Sequence, residues 1–94
     1  MAYFVVHYTY SADADLAARR RPAHREFINT LLTDGLVASG PWVGTDTAGA
    51  MLLFRAETAD EITAELDHDP FLTEGVIVDR EIREWNPVIG VFAP

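Results

Sequence analysis

Tyr3-Phe4-Val5-Val6-His7-Tyr8-Thr9-Tyr10 is an aromatic and β-branched run near the start of the chain. Such side chains fit a pleated, half-buried surface, so the stretch reads as a strand. Successive strand residues point to opposite faces, and here both alternations are apolar: Tyr3 and Val5 oppose Phe4, Val6 and Tyr8. A sheet built around this strand has two faces to bury.

The rest of the chain supplies the partners. Ser11-Ala12-Asp13-Ala14-Asp15 is a turn carrying helix-start residues. From Leu16 to Leu32 the spacing becomes helical, with Ala17, Arg20, Ala23/His24, Phe27/Ile28 and Leu31/Leu32 recurring every three or four residues. Pro22 inside that run predicts a kink or a restart, with Pro22 in the first turn of the second piece. Thr33-Asp34-Gly35 is a helix exit, with Gly35 in the left-handed cap. Leu36 to Trp42 reads as a second strand interrupted by Ser39-Gly40-Pro41. Pro41 lacks a ladder donor, which puts the segment at an edge, a bulge or a strand end. Residues 44–49 form a hairpin loop, and Ala50 to Ala56 a third strand. Thr58-Ala59-Asp60-Glu61 has the form of a capping box and opens a second helix to about Asp67. Asp69-Pro70 ends that helix or begins a new turn, because a residue before proline is pushed out of the helical region. Phe71 to Gly75 is a short helical turn or loop, Val76 to Trp85 a fourth strand, and Val88 to Phe92 a short extended tail.

The order is βαββαβ, the split pattern of a ferredoxin-like sandwich of the α+β class, with residues 1–94 as one domain. Two helices cover one face of its antiparallel sheet. The other face carries apolar residues too, such as Met51 and Leu53 against Leu52 and Phe54 in the third strand. Soluble monomers rarely expose a large apolar patch, so the pattern predicts a homodimer packed sheet against sheet through a barrel-like interface.

Composition narrows the function classes. Hydrophobic residues make up 49% of the 94, enough for a core. There is no Cys, which removes disulfides, thiolate metal sites and Cys nucleophiles, and fits a reducing, cytoplasmic setting. The first residues lack a basic leader, and no apolar run approaches a membrane span. Seven Arg and no Lys stand against a net charge of −8. That balance argues against nucleic-acid and membrane partners, and the lack of Lys removes Schiff-base chemistry. Four of the seven Arg cluster at Arg19-Arg20-Arg21 and Arg25. They read as a solvated helix face or, more pointedly, as an anion site, since guanidinium suits bidentate contact with carboxylates.

His24 shares a helix face with Phe27, Ile28 and Leu31, and is either a boundary residue or an acid–base group. Asp69 is either an ordinary turn residue or its partner. The βαββαβ order lets the segment after the second helix approach the first. A carboxylate accepting from one ring nitrogen fixes the His tautomer and leaves the other nitrogen to take a proton. Ser39 and Gly40 are a second wall, or a plain edge bulge. His7 is a sheet-face residue in the dimer interface or a pocket-lining polar group. Asp67-His68-Asp69 lacks the spacing of a metal site, so no metal ligand is assigned. No phosphate loop, dinucleotide fingerprint or nucleophile elbow occurs, and no cofactor is expected.

Arg21-Pro22-Ala23-His24, Ser39-Gly40-Pro41, Asp69-Pro70-Phe71 and Gly75-Val76, in that order after a tyrosine- and valine-rich strand, resemble the YCII-related family over nearly the whole chain. The resemblance implies a dimeric α/β-barrel and a His–Asp active site, carried onto His24 and Asp69, with Arg21, Ser39 and Gly40 beside it. It also implies activities such as dehydrochlorination of a hydroxyhydroquinone, lactone isomerisation or cofactor-free oxygenation. The leading expectation is therefore a cofactor-independent lyase or isomerase acting on a small anionic, possibly aromatic substrate held by Arg20 or Arg21. The alternative is a non-catalytic ligand-binding or stress-response accessory domain using the same pocket. An open cavity beside His24 favours the first, and a sealed His24 a structural role.

Overall fold

The structure, a computed structural model, describes residues 1–94. Strand β1 (Ala2–Tyr10) leads into helix α1 (Ala14–Thr30), which tightens into a 3-10 turn over Leu31–Thr33. Strands β2 (Leu36–Pro41) and β3 (Gly49–Ala56) form a hairpin. Helix α2 (Ala59–Leu66), the short helix α3 (Pro70–Thr73) and strand β4 (Ile77–Trp85) complete the chain. The sheet order is β2-β3-β1-β4 with every neighbouring pair antiparallel, so the fold is a ferredoxin-like α+β sandwich. No helix is long and apolar enough to cross a membrane.

The caps follow the residues that prompted them. The Asp13 side chain accepts from the Leu16 N–H at the start of α1, and Thr58 accepts from Glu61 at the start of α2. Gly35 leaves the helical region at φ 103°. Helix α1 runs unbroken through Pro22, against the expected kink or restart. Pro22 costs that helix one backbone bond. Ala17 and Ile28, on either side of it, are both buried in the core and hold the two halves in line. The tail also differs from expectation. It is not extended: it turns at Gly90 (φ 106°), with Ala93 N–H bonded to the Gly90 carbonyl, and lays Phe92 against Tyr3 and Trp85.

The core lies between the helices and one face of the sheet. Phe4, Val6 and Tyr8 of β1 and Leu52, Phe54 and Ala56 of β3 meet Ile28, Ile62, Leu66 and Phe71 from above. Each such large side chain contributes about 1.5–3 kcal/mol by leaving water. Strand β2 is an edge strand, as Pro41 requires, but its bulge falls between Leu36 and Ala38 rather than at Ser39-Gly40. Gly49 begins β3 where a side chain would run into the Tyr8 carbonyl, so glycine is required for the two strands to approach.

The far face of the sheet is covered by the chain itself at one end, where Phe92 of the tail packs on Tyr3 and Trp85. Tyr3, Val5, His7 and Thr9 lie on it in register with Arg55, Leu53, Met51 and Gly49 of β3. Strand β4 adds Asp79, Glu81, Arg83 and Trp85 there. The apolar part of this face is thus confined to β1, β3 and Trp85, with charge along β4, a narrower patch than two fully apolar alternations would give.

Candidate active site

Pro70 creates the centre of the site. It holds Asp69 in an extended conformation (ψ 123°) and starts α3 directly after it. The Asp69 carboxylate then caps α3, with Oδ1 accepting from the Phe71 N–H at 2.9 Å. The same oxygen accepts from Nδ1 of His24 at 2.8 Å. Oδ2 accepts from the Tyr8 hydroxyl at 3.2 Å. Asp69 has no exposure to solvent. A buried carboxylate is tolerable only when paired and hydrogen-bonded, and here three donors from α3, α1 and β1 converge on it.

His24 stacks face to face on Phe71, with ring centroids 3.9 Å apart and planes 4° from parallel. Stacking and the bond to Asp69 fix the ring in two directions. With Nδ1–H committed to the carboxylate, Nε2 is the nitrogen left with a lone pair. The His24 side chain is 14% exposed and lines a cavity of about 650 Å³ between α1 and the sheet. His24 is therefore open to a ligand and not sealed in apolar packing.

Arg21, His24, Arg25, Ile28 and Asn29 form the α1 wall of this cavity, the i, i+3, i+4, i+7 and i+8 positions of a single helix face. Ser39, Gly40 and Pro41 form the opposite wall on the edge strand. Tyr8, Tyr10 and Phe71 bring aromatic surface to it. Two expected residues are elsewhere. Arg20 does not line the cavity: it lies a residue off the face of Arg21 and Arg25, and its Nε is buried without a partner. Arg25 occupies the position expected of Arg20. His7 lies on the far face of the sheet, exposed and edge-on to Trp42 at 5.5 Å, because odd-numbered residues of β1 point away from the helices.

The consecutive Asp67, His68 and Asp69 side chains diverge. Asp67 pairs with Arg80 at 2.9 Å, His68 is exposed and Asp69 is buried. No group of three or more His, Asp or Glu is gathered closely enough to hold a metal.

Sequence reasoning missed Tyr8 and Tyr10 as cavity residues, and placed Arg25 only within the basic cluster, naming Arg20 or Arg21 for the anion. Tyr8 and Tyr10 share the helix-facing alternation of β1, where aromatic residues are ordinarily core. Burial, reinforced by the negative Asp69, pushes the Tyr8 phenol far above its usual range. The same causes push Tyr10 up to about 12, against opposing pulls from Arg21 and Arg25. A folded-state pKa above the unfolded value makes stability intact below pH ~10 and progressively lost as pH rises through the folded value. An absorbance titration of the phenolates should therefore contain a component near pH 12 that Tyr10→Phe removes. Ionisation of that component at the ordinary tyrosine value contradicts the burial described.

Comparison with known proteins places the chain. No curated protein sequence matches it. Among solved structures it is similar to the 5-chloro-2-hydroxyhydroquinone dehydrochlorinase of Burkholderia phenoliruptrix, solved in complex with 2,5-dihydroxybenzoquinone. That match has a TM-score of 0.75 and 22% identity, and covers 89% of this chain and 93% of that one. A protein of Agrobacterium tumefaciens matches with a TM-score of 0.61 and 17% identity, over 100% of this chain and 98% of that one. A conserved protein of Methanosarcina mazei matches with a TM-score of 0.59 and 14% identity, over 90% and 92%. These likenesses establish the shared fold. The YCII-related domain matches residues 1–86, and on that extent the chain belongs to the YCII-related family.

Proposed function

We propose that the chain is a small-molecule enzyme of lyase or isomerase type, needing no cofactor, in which His24 moves a proton on a small anionic substrate of planar, aromatic character. The observation that carries the reading is the fully buried Asp69 carboxylate holding His24 Nδ1 at 2.8 Å beside an open cavity. A base must be oriented, in the right tautomer and within reach of substrate, and these contacts supply the first two conditions. Arg21 and Arg25 at the cavity wall favour an anionic group, which an otherwise acidic surface repels. Ser39 and Gly40 on the opposite wall offer a hydroxyl and close backbone approach. Phe71 and Ile28 give apolar surface for a ring.

The Burkholderia protein of similar fold is a dehydrochlorinase solved with a dihydroxyquinone, which supports hydroxylated rings as the first substrates to try. The exposure of His24 to the cavity weighs for catalysis over a purely ligand-binding role. A cytoplasmic setting fits a cysteine-free chain.

The assembly that fits is a homodimer through the far face of the sheet. The half-buried Val5 and Met51, on either side of the buried Leu53, are its apolar centre, and Glu81 and Arg83 of β4 supply both signs of charge at its margin. A second copy on this face buries what a monomer leaves to water.

His24→Gln should lower chloride release from 5-chloro-2-hydroxyhydroquinone, or turnover of another substrate found by screening hydroxylated rings, by about 100-fold or more, while a cooperative urea unfolding transition persists at a midpoint lowered by the weakened contact to Asp69. Turnover equal to that of the unaltered protein removes His24 from the chemistry. Sedimentation at micromolar concentration should give twice the chain mass of 10.4 kDa, and a compact monomer would sink the assembly.

A further inference from the structure

We infer that Tyr10 donates a hydrogen bond to the substrate oxygen that gains negative charge when His24 removes a proton, so that the substrate class is small compounds with an enolisable carbonyl. This rests on the proton-transfer role of His24 proposed above.

Tyr8 and Tyr10 lie on the same face of β1, with ring centroids 6.4 Å apart, but their hydroxyls are used differently. The Tyr8 hydroxyl is spent on Asp69. The Tyr10 hydroxyl has no partner within the chain, and its side chain lines the cavity. The register between β1 and β4 shifts between Thr9 and Tyr10. The extra residue is Val78 of β4, and Tyr10 stays paired, with Ile77, beside an irregularity of a kind common at the rims of sites. Phe71 stands between the two groups, stacked on His24 at 3.9 Å and meeting Tyr10 edge-on at 5.3 Å. A base and a free phenol thus border one cavity, separated by a single aromatic ring.

The phenol stays protonated through the neutral range, since burial and Asp69 oppose its ionisation. It is a donor and not a charge. Arg21 and Arg25, four residues apart on the α1 wall, both act on Tyr10 electrostatically. Negative charge that develops beside this hydroxyl is therefore met by one neutral donor and two guanidiniums, the arrangement that stabilises an oxyanion.

The step balances without an outside reagent. Nε2 of His24 takes the proton from the carbon next to the carbonyl. The C–H electron pair forms a carbon–carbon double bond, and the carbonyl π pair moves onto oxygen, which accepts from Tyr10. Return of the proton to another carbon completes an isomerisation. Alternatively the oxygen pair re-forms the carbonyl, and the enolate carbon pair forms a double bond to the next carbon as that carbon's bond to a leaving group breaks. The group departs as its anion, which completes an elimination, and the His24 proton passes to solvent.

The test titrates 2,5-dihydroxybenzoquinone, which carries carbonyl and enolic oxygens on one ring, into the wild-type protein, Tyr10→Phe and His24→Gln, followed by the visible absorption of the quinone. Tyr10→Phe keeps the ring on Phe71 and removes only the hydroxyl, and its urea unfolding curve verifies the fold. The expected result is binding to wild type, affinity lowered about ten-fold or more in Tyr10→Phe, and a bound absorption band moved toward that of the free quinone. Failure of wild type to bind, or a Tyr10→Phe protein with affinity within about two-fold and an unchanged band, overturns the assignment. His24→Gln separates the two ideas. If it retains wild-type turnover while Tyr10→Phe still loses affinity, the role of His24 falls and the donor role of Tyr10 stands.

Discussion

A carboxylate removed from water must be met by donors, and Asp69 is met by three. Each donor belongs to a different element, so one carboxylate ties α1, β1 and α3 together at the point where the cavity opens. Removing it leaves the Tyr8 hydroxyl, the Phe71 N–H and the His24 ring without partners, a loss of about 3–5 kcal/mol for a broken buried network. The same contacts orient His24. One side chain therefore serves both the stability of the fold and the placement of the His24 ring.

The sheet contributes in two ways. Its helix-facing side supplies Tyr8, which steadies Asp69, and Tyr10, which looks into the cavity. The edge strand β2 supplies the opposite wall, where Ser39, Gly40 and Pro41 border the cavity and pair with β3 on one side alone. The helix α1 completes the enclosure with cations in an acidic chain. Apolar rings, a hydrogen-bonded histidine and two guanidiniums meet in one cavity of an otherwise acidic chain.

The strands, the helices and the sheet order were readable from alternation, spacing and caps. That His24 and Asp69 meet followed from the βαββαβ order, although the contact runs through the short helix α3 rather than α2. Of the two readings of His7, the sheet face is where its alternation with Tyr3 and Val5 puts it, opposite Phe4 and Val6, and it does not line the cavity. The basic cluster Arg19-Arg20-Arg21 with Arg25 reads as an anion site without telling which guanidiniums face the cavity. With α1 continuous, Arg21, His24, Arg25 and Ile28 fall on one face. Tyr8 and Tyr10 were unreadable as site residues for a different reason: an aromatic residue on the buried face of a strand has the same sequence signature whether its hydroxyl is used or not. The tail turned because Gly90 and the Tyr3–Trp85 aromatic surface together offered Phe92 a place to pack.

The central claim is that Asp69 fixes His24 with its proton on Nδ1 and its lone pair on Nε2. Nitrogen NMR of the His24 ring, assigned by comparison with His24→Gln, reads this directly. In the neutral ring the account predicts a protonated Nδ1 in a hydrogen bond to Asp69 and an unprotonated Nε2, with the Nδ1 proton resonance displaced in Asp69→Asn. A neutral ring protonated on Nε2, or one unaffected by Asp69→Asn, would contradict it.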